Sequence, residues 1–125
     1  MNVALWTVAA LLALVFLGAG AAKLAQPKEK LTASPSMAWA NDFAPGAIKT
    51  IGLLEVLAAI GLVLPAAVDI APTLVPLAAS GLALTMFGAA ITHSRRGEFQ
   101  PVVVNVVLLA LAIFLAWGRF GPHAF

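Results

Sequence analysis

Four long apolar stretches, separated by short segments that hold most of the charged side chains, dominate the hydrophobic pattern of the chain. They cover about residues 3–24, 47–64, 72–92 and 101–118. At about 1.5 Å per residue, each is long enough as a helix to cross a hydrocarbon core of roughly 30 Å. The pattern therefore predicts an all-α protein, a transmembrane four-helix bundle in which short connections make neighbouring helices antiparallel.

Proline residues mark two of the expected helix ends. Pro65 is expected to end the second helix, and Pro101 lies where the fourth helix starts, a favourable first-turn position. Residues 26–46 form the one sizeable connection, with Trp39 and Phe43 between two prolines. Aromatic residues favour the membrane interface, so this segment is predicted to form a short interfacial helix or turn that caps the bundle.

The composition agrees with a membrane protein that forms a single domain over residues 1–125. Of these residues, 62% are hydrophobic and 10% are charged, and the mean hydropathy is +1.04. A soluble domain of this size would bury only about two thirds of its chain surface, which is too little to hide so many apolar side chains. The basic residues are scattered, so the formal net charge of +2 does not indicate a nucleic-acid partner.

The distribution of basic residues predicts the orientation of the bundle. One side holds Lys23, Lys28, Lys30, Lys49, Arg95 and Arg96, whereas the other side holds Arg119 alone. By the positive-inside tendency, the 26–46 and 93–100 loops are expected to be cytoplasmic and both termini to lie outside. The expected location is the bacterial cytoplasmic membrane.

Glu55 is the polar residue that lies deepest in an apolar stretch. At about 1.5 Å per residue it is roughly 12 Å into the second helix, close to the expected midplane. A lone carboxylate there costs about 2.5 kcal/mol or more, so it requires neutralisation, a partner or an inward-facing position. Lys23 is the favoured partner, because Lys49 is six residues from Glu55 and poorly placed on the same helix.

Further polar residues are expected at the same end of the bundle. The predicted ligand-binding or buried polar cluster consists of Lys23, Lys49, Glu55, Thr92, His93 and Asn105. Each member also has a structural interpretation: an ion pair that fixes helix register, a lysine that reaches the headgroups, a helix-capping histidine, or an interhelical hydrogen bond. The residue types alone leave both interpretations open.

Small residues recur at helical spacing on two of the predicted helices. Gly52 and Ala59 share a face with Glu55 on the second helix, and Gly81 and Gly88 share a face on the third. Such faces permit close helix approach in lipid, where the hydrophobic effect does not drive association. We therefore expect both faces to form helix contacts.

Several chemistries lack the residues that they require. The chain has no cysteine and two histidines, so it cannot form a disulfide or thiolate site. His93 and His123 are expected on opposite sides of the membrane, which excludes a haem held by two histidines. No metal or haem is therefore expected, and the chain is not expected to be an enzyme on its own.

Short motifs in the chain resemble those of the DoxX-like family of four-helix membrane proteins. They are Gly20-Ala21-Ala22-Lys23-Leu24, Gly52-Leu53-Leu54-Glu55, Pro65 after the second helix, and Thr92-His93-Ser94-Arg95-Arg96-Gly97-Glu98 after the third. The resemblance covers nearly the whole chain and implies an intramembrane Lys and Glu at positions 23 and 55. Relatives include subunits of a thiosulfate:quinone oxidoreductase, mycobacterial partners in thiol-oxidant defence and animal chaperones of acetylcholine-receptor assembly, so no shared activity is implied.

These observations favour a non-catalytic subunit, partner or assembly factor of a membrane complex, which the resemblance suggests is a redox complex. The first alternative is a subunit of an oxidoreductase that binds a quinone or another lipid-like ligand. The second is a small transporter or proton path, which ranks last because the polar residues cluster on one side of the midplane. The expected partners are membrane lipid and other membrane proteins or further copies of the chain.

Overall fold

The computed structural model describes residues 1–125 apart from the side chains of Pro35 and Ser36. The elements are α1 (Asn2–Ala25), α2 (Lys28–Thr32), a 3-10 helix (Pro35–Asp42), α3 (Pro45–Ala67), α4 (Leu74–Arg95) and α5 (Phe99–Phe120). The helices α1, α3, α4 and α5 are long and apolar enough to cross a membrane. The predicted all-α four-helix membrane bundle is therefore confirmed.

The four long helices form a closed ring in the order α1, α3, α4, α5. The most extensive contacts are within two pairs, α1 with α3 and α4 with α5. The α3–α4 and α1–α5 contacts join these pairs. The short α3–α4 and α4–α5 connections make those neighbours antiparallel. The close contact of Gly20 with Gly52 places the end of α1 beside the start of α3, at the same end of the bundle as the end of α4.

An apolar core fills the ring between the helices. Its largest fully buried members include Leu5, Leu12, Leu62, Leu82 and Leu115. The outward-facing side chains are apolar as well, a distribution that places lipid around the bundle. The polar residues that are buried therefore stand out, since neither the core nor a lipid-facing surface accommodates them without a partner.

The α3 helix does not end where its proline predicts. It begins at Pro45, runs through the buried Pro65 and stops at Ala67, so the prediction that Pro65 ends the second helix is wrong. A proline removes one backbone donor but does not stop the residues after it from completing the last turn. That turn is closed by the Val68 N–H, which donates to the Leu64 carbonyl at 3.0 Å.

The connection between α1 and α3 folds into α2 and the 3-10 helix. Buried Leu31, Ala40 and Ile48 form a small apolar cluster that joins both elements to the start of α3. The Lys28 ammonium donates to the Phe43 carbonyl at 2.6 Å, which fastens the end of the 3-10 helix to α2. The connection lies against one end of the bundle, while its predicted position at the membrane interface stays a prediction.

Candidate functional site

The close crossing of α1 and α3 positions the deepest charged residues of the chain. At Gly20 and Gly52 the two backbones approach so closely that a side chain on either glycine would overlap the other helix. Lys23 and Glu55 each follow their glycine by three residues and thus lie about one helical turn away. A side chain on α1 can therefore reach a side chain on α3 without either leaving the bundle.

Lys23 and Glu55 form a buried ion pair. The Lys23 Nζ lies 2.7 Å from the Glu55 Oε1, and the two side chains are only 8% and 5% exposed. The Lys23 Nζ also lies 5.8 Å from the centre of the Trp39 ring, within the range of a cation–π contact. The pairing expected from the sequence is therefore present.

A cavity of about 400 Å³ adjoins this ion pair. All four long helices and the 3-10 helix contribute to its wall. The polar residues in the wall are Lys23, Glu55, Thr85, Thr92, His93 and Asn105, and the apolar ones include Phe16, Met86 and Leu108. The cavity thus lies between the α1–α3 pair and the α4–α5 pair and has several polar groups on an otherwise apolar surface.

The buried His93 connects the cavity to the turn between α4 and α5. Its Nδ1 lies 2.8 Å from the Glu98 Oε1, and its ring meets the edge of the Trp39 ring at 6.2 Å between centroids. Arg96 donates to Glu98 at 3.1 Å and to the Asp42 carboxylate at 2.7 Å. The α4–α5 turn is thereby fastened to the 3-10 helix that covers the cavity.

The charges around this turn favour the ionised form of Glu98. The hydrogen bond from His93 and the positive charge of Arg96 hold the pKa of the Glu98 carboxyl below its usual value of 4.5, against an opposing effect of desolvation. The bond to Asp42 raises the pKa of Arg96 above its ordinary value. Glu98 is therefore an anion at neutral pH, and as an anion it can only accept hydrogen bonds.

Asn105 and Thr92 differ in how their hydrogen bonds are satisfied. The Thr92 hydroxyl donates to the Gly88 carbonyl of its own helix at 3.0 Å, so it does not make the interhelical bond that its residue type suggested. The Asn105 Nδ2 is fully buried and has no hydrogen-bond partner among the described residues. A buried amide donor without a partner is uncommon in proteins.

This set of side chains can recognise a small polar headgroup. An ammonium, an imidazole and an amide offer donors, while the Glu55 carboxylate offers an acceptor. Among the described side chains, no three His, Asp or Glu groups lie close enough together to hold a metal ion. The chemistry that the site offers is therefore hydrogen bonding and charge around an apolar cavity.

The family model of the DoxX-like family matches residues 7–115 of the chain. The chain belongs to the DoxX-like family. The match includes every residue of the predicted polar cluster and confirms the resemblance seen in the sequence. Comparison with curated proteins and with solved structures gives no match.

Lys49 has a structural position that differs from the two interpretations of the sequence. Its ammonium donates to the carbonyls of Lys23, Leu24 and Gln26 at 2.8, 2.9 and 2.7 Å. These carbonyls belong to the end of α1, where helical carbonyls lack intrahelical donors. In this DoxX-like chain Lys49 therefore caps α1, and it is not among the residues of the cavity wall.

The glycine face of α4 also differs from the expectation. Gly81 and Gly88 have no atom of another element within 4 Å of where a side chain would begin, so this face does not form the predicted close helix contact. Gly88 instead contributes to the cavity wall. The pattern of small residues predicted a close helix contact on α4, but the space beside Gly81 and Gly88 is open.

Two residues of the site were not predicted as members from the sequence. Trp39, expected as a membrane anchor, contacts the cavity-lining residues Lys23 and His93, and Glu98 binds His93 directly. The five-residue separation of His93 and Glu98 gives no helical signal, because a turn lies between them. Only the fold of the turn brings these two side chains together.

A second buried cation lies at the opposite end of the bundle. The Arg119 guanidinium is 3.9 Å from the centre of the Phe125 ring and 5.9 Å from that of Trp6. It also donates to the His123 carbonyl at 2.9 Å. Arg119 therefore holds residues after α5 against α1, and it takes no part in the cavity.

Proposed function

We propose that this DoxX-like chain is a non-catalytic membrane subunit that binds the polar head of an amphipathic, quinone-type ligand. The observation that carries the proposal is the buried, unpartnered Asn105 amide in the wall of the cavity of about 400 Å³. Leaving a buried donor unpaired costs about 1–3 kcal/mol. A ligand oxygen that reaches this amide on binding would remove that cost.

The wall of the cavity suits such a ligand in size and chemistry. Ligand pockets commonly occupy about 300–1,000 Å³ and combine apolar walls with a few polar groups that fix orientation. Asn105 and Lys23 can donate to the carbonyl or hydroxyl oxygens of a quinone-type headgroup, and the second ring nitrogen of His93 offers a further polar contact. Phe16 and Met86 provide apolar contact for its ring.

The edge of the cavity supports entry from the lipid phase. Val15 on α1 and Gly88 on α4 contribute to its wall and are exposed. Both lie within helices long enough to span the membrane, so the surface around them faces acyl chains. A ligand with an apolar tail could place its head in the cavity and leave the tail in lipid.

The other functions considered from the sequence are supported to different degrees. A role as a partner or assembly factor is compatible with ligand binding and stays a prediction. Association with a redox complex also stays a prediction. A transport path is less well supported, because the apolar core with Leu12, Leu62 and Leu82 lies between the cavity and the Arg119 end. We further propose that the chain lies in the bacterial cytoplasmic membrane with both termini outside, on the basis of its basic loops.

Ligand-induced stabilisation tests the proposal. The purified chain in neutral lipid nanodiscs should gain thermal stability with decylubiquinone, since a ligand at about 100 times its Kd contributes about 2.7 kcal/mol. Ala19→Leu, which fills the cavity wall, and Asn105→Leu should reduce the gain. Ala10→Leu, at an exposed position on the same helix as Ala19, should retain it. Equal gains in all four proteins, or none in the parent, would contradict the proposal.

A further inference from the structure

Glu98 lies between water and the cavity, and the proposed ligand contacts do not use it. Its side chain is 25% exposed, whereas the side chain of His93, to which it is bonded, is 11% exposed. His93 contributes to the cavity wall and Glu98 does not. The two side chains therefore form a continuous polar connection from the surface of the α4–α5 turn to the interior of the bundle.

We propose that ligand binding takes up one proton from water, which is held on His93 between the Glu98 carboxylate and an oxygen of the bound ligand. This inference rests on the proposed function and adds to it that the cavity prefers a ligand whose head presents a hydrogen-bond acceptor, such as a quinone carbonyl. In this arrangement His93 touches the ligand, and Glu98 is a positioning residue that acts through His93.

The hydrogen bond to Glu98 determines which ring nitrogen of His93 can gain a proton. A carboxylate only accepts hydrogen bonds, so the Nδ1 of His93 carries a hydrogen and Nε2 is the remaining ring nitrogen. In the neutral ring Nε2 is an acceptor and cannot bind a ligand carbonyl. With one added proton Nε2 becomes a donor, and the positive charge is balanced by the adjacent Glu98.

The other charged groups around His93 are already paired. Lys23 on α1 is paired with Glu55 on α3. Arg96 in the turn is paired with both Glu98 and Asp42 of the 3-10 helix. Trp39, which meets the His93 ring, carries no charge. His93 is therefore the group of this set that can take up the proton.

The pH dependence of binding distinguishes this role from a structural one. The Kd of decylubiquinone is measured in phosphatidylcholine nanodiscs from pH 5.5 to 8.5, and a pH-indicator dye measures proton uptake in weak buffer. In the parent, affinity should fall as pH rises, by up to about tenfold per pH unit, with uptake of about one proton per ligand where the dependence is steepest.

Three variants test whether His93 is the residue that takes up the proton. His93→Gln should bind more weakly, with a Kd independent of pH and no proton uptake. Glu98→Gln should move the dependence to lower pH, because the charged ring loses its balancing anion. Arg95→Gln, the matched control at an exposed basic residue beside the network, should behave as the parent.

The outcomes separate this inference from the function on which it rests. Binding by the parent with a pH-independent Kd overturns the proton uptake and leaves the ligand site intact. A pH dependence that persists in His93→Gln overturns the assignment to His93. Absence of binding by the parent at every pH overturns both proposals.

Discussion

The backbones of α1 and α3 cross at Gly20 and Gly52 with no space for a side chain on either residue. A Cβ on Gly20 would lie 2.6 Å from the Gly52 carbonyl oxygen, and a Cβ on Gly52 would lie 2.9 Å from the Gly20 carbonyl oxygen. The crossing lies about one helical turn from the Lys23–Glu55 pair. Close helix packing and the buried charges are thus parts of one local arrangement.

Gly20→Ala is expected to destabilise the bundle, because the obstructing atoms at the crossing include rigid backbone. Overpacking of this kind costs about 1–3 kcal/mol. Gly18→Ala on the same helix is the matched control, since no atom lies within 4 Å of its added Cβ, and it should leave stability unchanged or slightly higher. Denaturant unfolding in detergent measures both. Equal effects of the two substitutions would rule out the tight crossing.

Removal of Glu55 should be far more damaging than removal of Arg96. Glu55→Ala leaves the buried Lys23 unpaired and should cost about 3–5 kcal/mol. Arg96→Ala breaks ion pairs whose side chains are 25% to 54% exposed, so its cost should be small by comparison. Unfolding free energies of both variants provide the measurement. The double change Lys23→Met with Glu55→Leu should recover much of the loss, and failure to do so would argue against pairing as the cause.

Glu98 should stabilise the α4–α5 turn less as the pH falls. Its pKa in the folded protein lies below the usual 4.5, chiefly because of the hydrogen bond from His93. The contribution of ionised Glu98 to the stability of the folded protein is therefore complete above pH 4.5. It disappears as the pH falls through the lowered pKa. The difference in Tm between the parent and Glu98→Gln should narrow below pH 4.5. A difference that is constant from pH 7 to strongly acidic pH would contradict this.

The orientation in the membrane can be tested with cysteine substitutions, because the chain has no cysteine of its own. Ser94→Cys, beside Arg95 and Arg96, should react with a membrane-impermeant maleimide only after the cells are opened. Gly121→Cys, at the other end of the bundle, should react in intact cells. The reverse pattern would overturn the proposed orientation but would leave the fold and the cavity unchanged.

The sequence predicted the helices and the ion pair because both follow from local physical rules. Long apolar stretches define membrane spans, and a carboxylate at depth requires a cation, which identified Lys23 with Glu55. The same rules did not predict the contacts of Lys49, whose three acceptors lie on another helix. The packing between helices decided that contact.

Loop conformation explains the other differences between sequence and structure. Trp39 reaches the cavity because the 3-10 helix folds across the end of the bundle, and Glu98 reaches His93 because of the turn that follows α4. Neither element has a periodicity that identifies its inward face. The open space at Gly88 likewise depends on how the two helix pairs are arranged, which the order of small residues does not specify.

Photolabelling with an azidoquinone in lipid nanodiscs tests the ligand site most directly, because mass spectrometry identifies the labelled residues. The cavity predicts label on residues 37–43 and 88–93, reduced by Ala19→Leu and by excess decylubiquinone. A separate apolar groove that includes Leu84, Phe87 and Ile113 is an internal comparison for nonspecific labelling from lipid. Label confined to that groove, or unaffected by filling the cavity, would contradict the proposed ligand site.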